Sequence, residues 1–141
     1  MICGAIDLLF ENADFESVRR MLKNSREGVA HIDRGSAVYL TEGGQIAEGS
    51  GVSLFAFGDP SARVDVLLAR YASEGPRLLD SISGNAALVL IDRRRETAKL
   101  ARLGESRLYY AQSGRILLFS SDADAIPHAA EILGLVSFDK R

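Results

Sequence analysis

The chain has 141 residues, with 17 basic and 19 acidic side chains and a net charge of −2 at pH 7. This balance leaves no basic surface for nucleic acid, and no apolar run approaches the roughly 20 residues that span a membrane. One cysteine excludes an internal disulfide, and two histidines far apart do not favour a zinc site. A length of 141 residues predicts a single domain over residues 1–141, and the 47% share of apolar residues indicates a packed globular core. Because there is only one cysteine, we expect a reducing, cytoplasmic location, and we expect no cofactor or metal.

The first half of the chain alternates apolar segments with polar turns. Met1–Phe10 predicts a strand, and because Asp7 interrupts its apolar run we expect no signal peptide. A helix is predicted from Asn12 or Asp14 through Asn24, since apolar residues recur there at helical spacing. The next predicted elements are a hairpin of strands Val29–Ile32 and Ala37–Leu40 around Asp33-Arg34-Gly35, a mobile loop over Glu42–Gly51, and an alternating strand over Val52–Phe57.

The second half begins with helices and continues with strands. We predict a helix that starts at Asp59-Pro60-Ser61 and continues over Arg63–Ser73, and then a short helix over Pro76–Ile82. The apolar face of the first of these helices comprises Val64, Leu67, Leu68 and Tyr71. The stretch Gly84–Ser121 predicts an antiparallel meander, because its connections are too short for helical crossovers. Its strands are Ala86–Ile91, Ala98–Leu103, Leu108–Ala111 and Ile116–Phe119, and a helix over Ala123–Leu133, bent at Pro127, follows.

This order of elements indicates an α+β fold. We expect two stacked antiparallel β-sheets flanked by helices, because each sheet has an apolar face to bury. Within the second strand of the meander, Ala98, Leu100 and Leu103 are expected to face the core, and Lys99 and Arg102 the solvent.

Cys3 is the one candidate nucleophile in the sequence. A cysteine at the amino terminus can attack a carbonyl when its own α-amino group serves as the base. Met1 and Ile2 precede Cys3, and Ile2 is too large for the usual removal of an initiator methionine. We therefore favour a buried cysteine that packs as a small apolar residue, and keep the catalytic nucleophile as the alternative.

Other polar or aromatic residues receive structural interpretations. His31 and His128 are expected at the surface or at a sheet edge. Asp92–Glu96 could hold an anion, but a solvated hairpin turn is the favoured interpretation. The glycines of Glu42–Gly51 lack the lysine and the following helix of a phosphate loop. Tyr109-Tyr110 is expected to lie half in the core and half at an interface.

Several segments, in this order, resemble one known family. The sequence is similar to the class II glutamine amidotransferase domain at the front of asparagine synthetases and related lasso-peptide cyclases. The similarity is close over residues 58–130 and loose over residues 1–22. The segments are Met1–Ala5, Val66–Tyr71 with Glu74-Gly75-Pro76, Leu78–Asp92 (LLDSISGNAALVLID), Arg102–Tyr110 (RLGESRLYY) and Leu117–Ala125 (LLFSSDADA). This resemblance implies an N-terminal nucleophile hydrolase fold (αββα), glutamine as the substrate, and Cys3 as the nucleophile.

The departures from the family pattern fall on its glutamine site. The family nucleophile directly follows the initiator methionine, whereas Ile2 is inserted here. The family's Asn-Gly-Glu-Ile-Tyr-Asn stretch, which stabilises the oxyanion, is reduced to Gly43-Gly44-Gln45-Ile46. Its glutamine-gripping Ser-Thr-Asp-Thr-Glu stretch aligns with Ser61–Asp65, where Arg63 replaces the aspartate. The chain is also shorter by about 50 residues, roughly one lost hairpin-and-loop segment, which includes the arginine for the glutamine carboxylate.

These departures imply a truncated and degenerate amidotransferase-like domain without catalytic activity. Loss of one oxyanion donor alone typically slows such a reaction by about 10²–10³-fold. The expected role is structural, as a docking partner for an asparagine synthetase-like, ATP-dependent, amide-forming enzyme, with a homodimer as the alternative partner. Two other functions remain open: an active cysteine amidohydrolase that uses Cys3 to release ammonia from glutamine, and a small-ligand-binding module in the former glutamine pocket.

Overall fold

A computed structural model of the chain describes residues 1–10, 29–33, 36–41, 43–113 and 116–122. The described residues form two antiparallel sheets and one α-helix, an α+β arrangement in which strands predominate. The strands are β1 (Ile2–Asp7), β2 (Val29–Asp33), β3 (Ser36–Leu40), β4 (Gly44–Gly49), β5 (Val52–Pro60), β6 (Gly84–Asp92), β7 (Thr97–Leu103), β8 (Tyr109–Ser113) and β9 (Ile116–Ser120). Helix α1 covers Val64–Glu74, and a 3-10 helix covers Gly75–Asp80.

The chain divides into two compact units, and each unit contains one sheet. One unit comprises residues 1–42 and 108–141, and the other comprises residues 43–107. The predicted helices over residues 12–24 and 123–133 lie outside the described residues. In the described part of the chain, no helix is long and apolar enough to cross a membrane.

The five-stranded sheet has the order β2-β3-β1-β9-β8, so the first strand of the chain lies at its centre. Every residue of β1 is buried. The strand ends at Asp7, earlier than predicted, because the chain turns there: the Leu9 amide donates to Asp7 Oδ1 at 3.0 Å and the Phe10 amide donates to the Asp7 carbonyl at 2.8 Å. The hairpin of β2 and β3 is confirmed, with Asp33 in register with Ser36.

The four-stranded sheet has the order β4-β5-β6-β7. Alternate residues of β5 and β6 join α1 in an apolar core. The face predicted for the helix is confirmed, because Val64, Leu67 and Tyr71 are buried there and Leu68 packs against them. The core residues are Val52, Leu54, Ala56, Val64, Leu67, Tyr71, Leu78, Ile82, Ala86, Leu88, Leu90 and Leu103.

The predicted start of this helix is wrong. Asp59 and Pro60 belong to β5, where they pair with Asn85 and Gly84, and the helix begins at Val64. Proline is compatible with this position because it ends the strand, where the absence of its N–H does not interrupt the ladder. The helix ends at Glu74, one residue after the predicted end, where Gly75 has a φ of 67°.

The predicted mobile loop over Glu42–Gly51 is also wrong, because most of it is the edge strand β4. Ser50 and Gly51 have φ values of 53° and 78°, which are the left-handed values of a tight two-residue hairpin turn. This turn brings Gly49 into register with Val52, and the ladder then continues to the pair of Gly44 with Phe57. The glycines at both ends of the strand had suggested a loop.

The predicted single meander is divided between the two sheets. Strands β6 and β7 belong to the four-stranded sheet, whereas β8 and β9 belong to the five-stranded one. The division follows β7, where Gly104 has a φ of 63° and the Glu105 amide donates to Asn85 Oδ1 at 2.9 Å. The expected face of β7 is wrong in part: Leu103 packs in the core with Ala101, whereas Ala98 and Leu100 occupy the alternate positions.

Candidate functional site

Cys3 lies on β1 at the centre of the five-stranded sheet. The register places it between Tyr39 of β3 and Ser120 of β9, and its side chain is 2% exposed. Its nitrogen is a peptide nitrogen, because Ile2 precedes it in the same strand. A reagent would reach this thiol only if the surrounding residues moved.

The two residues before Cys3 are anchored in the same sheet. The Met1 nitrogen donates to Thr41 Oγ1, and the Thr41 amide donates to the Met1 carbonyl at 3.0 Å. The Ile2 amide donates to Ser121 Oγ at 3.1 Å, and the Ser121 amide donates back to the Ile2 carbonyl at 2.8 Å. Ile2 itself is 0% exposed. These residues therefore extend the sheet past the cysteine and do not form a loose tail.

The sheet register does not align His31 with Cys3. His31 is on the edge strand β2, where it is in register with Val38 of β3 and, through Val38, with Gly4 of β1. Strand β3 separates the two residues, and their register positions differ by one. The arrangement does not favour a dyad of Cys3 and His31. His128 lies outside the described residues.

The positions at which the resemblance implied a glutamine site lie in a strand, its preceding turn and a helix start. Gly43 has a φ of 93° and precedes β4, in which Gln45 and Ile46 pair with Ala56 and Phe55. Arg63 lies immediately before α1 with its side chain 81% exposed, and its guanidinium is 3.4 Å from the Asp65 carboxylate. All of them belong to the unit of residues 43–107, whereas Cys3 belongs to the other unit.

A buried carboxylate, Asp92, organises the turn between β6 and β7. It is 0% exposed and accepts a hydrogen bond of 2.8 Å from the Tyr71 hydroxyl. Its other oxygen accepts the backbone amides of Arg94 and Arg95 at 3.1 and 3.2 Å. The interpretation of Asp92–Glu96 as a hairpin turn is confirmed, but its first residue is not solvated, because Tyr71 of α1 closes over it.

Three arginines extend the Asp92 cluster to the neighbouring strands. The Arg94 and Arg95 Nε atoms lie 3.9 and 3.7 Å from the Asp92 carboxylate, with both side chains 55% exposed. The Arg95 guanidinium lies 5.9 Å from the centre of the Tyr71 ring. Arg93 donates to Ser53 Oγ at 2.9 Å. The sequence gives little sign of this cluster, because Tyr71 and Asp92 lie 21 residues apart.

Alkaline pH provides a test of the Asp92 cluster. Burial, together with the hydrogen bond to Asp92 and the charge of that carboxylate, raises the pKa of Tyr71 above its ordinary value of 10.0. The folded state therefore holds the hydroxyl proton more tightly than the unfolded state. The stabilisation is complete below pH 10 and is lost as the pH rises through the raised pKa. We expect the free energy of unfolding to fall more steeply above about pH 10 in the wild type than in Tyr71→Phe, measured by urea unfolding. Equal slopes would contradict the assignment.

An open cleft of about 550 Å³ lies beside the Asp92 cluster, between α1 and β4. Its floor and walls are mainly apolar, and its charged groups are Glu48, Asp65 and Arg94. The lining residues are Ile46, Ala47, Glu48, Gly49, Ser50, Val52, Asp65, Leu68, Ala69, Tyr71, Ala72 and Arg94. Cys3 is not one of them. Sequence reasoning missed this cleft because it had assigned β4 to a loop.

Part of the chain is similar to one known protein family. The model of a family described as a glutamine amidotransferase domain matches residues 59–137, more than half of the chain. No curated protein matches the sequence. The matched region includes α1 and the Asp92 turn, but Cys3 and β4 precede it.

Proposed function

The chain belongs to the glutamine amidotransferase domain family, and from this premise we propose that it is a degenerate member without glutaminase activity. Its role is structural: it docks in the cytoplasm onto an asparagine synthetase-like, ATP-dependent, amide-forming enzyme. In this proposal residues 1–141 form one domain of the N-terminal nucleophile hydrolase type, in which the sheet scaffold is kept and the glutamine site is lost.

The observation that carries the proposal is the position of Ile2. An amino-terminal cysteine nucleophile needs a free α-amine beside its thiol to act as the base. Here the corresponding nitrogen of Cys3 is in a peptide bond to Ile2, which is fully buried and hydrogen-bonded to Ser121. A peptide nitrogen carries no basic lone pair, so it cannot accept the thiol proton.

Two further observations support the loss of the glutamine site. The position that would bind the substrate ammonium carries Arg63, whose positive charge repels a cation. The residues that resemble the oxyanion stretch belong instead to the edge strand β4 and its preceding turn. The family match begins at residue 59 and so does not include Cys3.

Ammonia release from glutamine tests the proposal directly. We expect the purified chain to retain Met1 and Ile2 by intact mass, and to release no more ammonia than Cys3→Ala. Circular dichroism of both proteins checks that they are equally folded. Ammonia release that depends on Cys3, in a chain whose mass lacks residues 1 and 2, would establish the active amidohydrolase and overturn the proposal.

A chain processed to begin at Cys3 distinguishes the loss of the free α-amine from the loss of the oxyanion and glutamine-binding residues. It has the free amine but still lacks the oxyanion and glutamine-binding residues, so we expect it to remain inactive. Cys3-dependent activity in this chain would mean that the glutamine site is intact and that only the two preceding residues silence it. The docking role is tested separately, by sedimentation of the chain with a purified asparagine synthetase-like synthetase domain.

A further inference from the structure

Strand β7 is an edge strand of the four-stranded sheet, and its backbone can accept a further strand. Among the described residues, β6 is the only strand that pairs with it. In the same part of the chain, its one other backbone hydrogen bond runs from the Ser106 amide to the Leu103 carbonyl at 3.3 Å, at the last residue of the strand. The outward N–H and C=O groups before Leu103 are therefore available for pairing.

A groove follows this edge, between β7 and the 3-10 helix, and we call it the β7 groove. Its volume is about 580 Å³. Its apolar residues are buried or half-buried, whereas its charged side chains are exposed. None of its residues lines the cleft beside the Asp92 cluster. The β7 groove is lined by Pro76, Arg77, Leu79, Asp80, Lys99, Leu100, Ala101, Arg102 and Leu103.

The charge of the β7 groove is mainly positive, although the whole chain has a net charge of −2. Its charged residues are three basic ones and one acidic one, Arg77, Lys99, Arg102 and Asp80. In the described part of the chain, none of these four side chains takes part in an ion pair or a hydrogen bond. Glu96 and Glu105 lie just beyond the two ends of β7 and do not line the groove. The groove therefore attracts an anionic group.

The two basic residues of β7 are three positions apart, so they lie on opposite faces of the strand. Lys99 shares its face with Ala101 and Leu103, which pack in the core. Arg102 shares the other face with Leu100. A strand paired with β7 places each side chain on the same face as the residue opposite it. Such a strand meets both charges when it has two acidic residues three positions apart, with two apolar residues between them.

We propose that the edge of β7 binds an extended acidic segment of a partner protein, which adds to the sheet as a fifth strand. Backbone hydrogen bonds hold this strand, and its acidic-apolar-apolar-acidic pattern gives the specificity. A second copy of this chain does not suit the edge, because two β7 strands would bring basic side chains together. The inference goes beyond the proposed function: it requires neither the loss of glutaminase activity nor a synthetase as the partner, and Cys3 takes no part in it.

Two synthetic peptides of equal composition and charge test the pattern. The first, with blocked ends, is Ser-Thr-Thr-Glu-Val-Val-Glu-Thr-Thr-Ser. The second, Ser-Thr-Thr-Glu-Val-Glu-Val-Thr-Thr-Ser, places both carboxylates on one face of a strand. Each is titrated into the full chain at low salt by calorimetry. We expect a dissociation constant below about 1 mM for the first peptide and a value about fivefold or more higher for the second. No binding of the first peptide at this concentration, or equal binding of both, overturns the proposal.

Charge reversal identifies the residues that bind the peptide. Lys99→Glu and Arg102→Glu should each raise the dissociation constant of the first peptide about tenfold or more. Arg107→Glu is the matched control, because it makes the same change of charge at an exposed position outside the β7 groove and should leave binding unchanged. Thermal unfolding of each variant checks that it stays folded. Reversals that leave the affinity at the wild-type value overturn the proposal.

Hydrogen exchange of the backbone amides distinguishes an added strand from simple attraction of charges. When the first peptide binds the wild type, we expect slower exchange at alternate amides of β7, because their outward N–H groups then donate to the peptide. The amides of β5, which lies inside the sheet, are the internal reference and should be unchanged. Binding that leaves exchange along β7 unchanged would show attraction by charge alone and overturns the proposal.

Discussion

We expect Asp92→Ala to lower the free energy of unfolding by about 3 kcal/mol or more. The substitution removes the acceptor for the Tyr71 hydroxyl and for the amides of Arg94 and Arg95. Tyr71 is 3% exposed, so water cannot replace its lost partner without opening the core. The side chains of Arg94 and Arg95 are half exposed, so the loss of their ion pairs with Asp92 changes stability little. The loss of stability arises mainly from the buried Tyr71 hydroxyl and from the turn.

Urea unfolding of matched variants measures this effect. Asp59→Ala removes an exposed carboxylate and should change stability by no more than about 0.5 kcal/mol. Tyr71→Phe removes only the hydroxyl and leaves the turn intact, so its cost should be about 1–2 kcal/mol. If Asp92→Ala lost less stability than Tyr71→Phe, the carboxylate would not organise the turn as described.

The local patterns of the sequence predict most of the elements. Two short apolar segments and the tight polar turn between them are enough to predict the hairpin of β2 and β3, because both signals lie within a dozen residues. Helical spacing likewise predicts which residues of α1 are buried, since Leu67 and Tyr71 lie on one face. In these segments the secondary structure is determined by neighbours in the chain.

The division of the sheets depends on contacts that local patterns do not contain. Strands β7 and β8 are separated by only a few residues, so a meander was the simplest expectation. Their actual partners are β6 and β9, and β9 in turn pairs with the first strand of the chain. Strand β4 was missed for a related reason, since its glycine-rich sequence has little strand propensity and its ladder with β5 stabilises it.

The surroundings of the candidate site could likewise be predicted only where they depend on nearby residues in the sequence. We favoured a buried Cys3 because two residues precede it and because free cysteines are commonly buried, and it is buried. The burial of Asp92 was not predicted, because three arginines follow it and suggest solvent. Its actual surroundings depend on Tyr71, which the fold brings from a distant helix. The cleft depends on β4 and was missed together with it.

The other large effect is expected at Gly84, where β6 begins opposite the end of β5. Its φ is 116°, a value that residues with a side chain rarely adopt, and a Cβ atom there would lie 2.4 Å from the Asp59 carbonyl oxygen and 2.9 Å from the Ser61 nitrogen. Both are backbone atoms, and the hydrogen bond of 2.7 Å from the Ser61 amide to the Ser83 carbonyl holds this segment in place. We expect Gly84→Ala to reduce stability by about 3–4 kcal/mol.

Gly49→Ala is the matched control for this substitution. Gly49 is likewise the terminal residue of a strand in the same sheet, but the atom nearest to an added Cβ is the end of the flexible Leu68 side chain, 3.8 Å away. Alanine there should be neutral or stabilise the protein by up to about 1 kcal/mol, because it restricts the unfolded chain. Urea unfolding of Gly84→Ala and Gly49→Ala compares a position that has no room for a Cβ atom with a position that has room. Similar stabilities would mean that the β5 and β6 ends separate readily, and that the junction from Asp59 to Ser61 is not fixed by backbone packing.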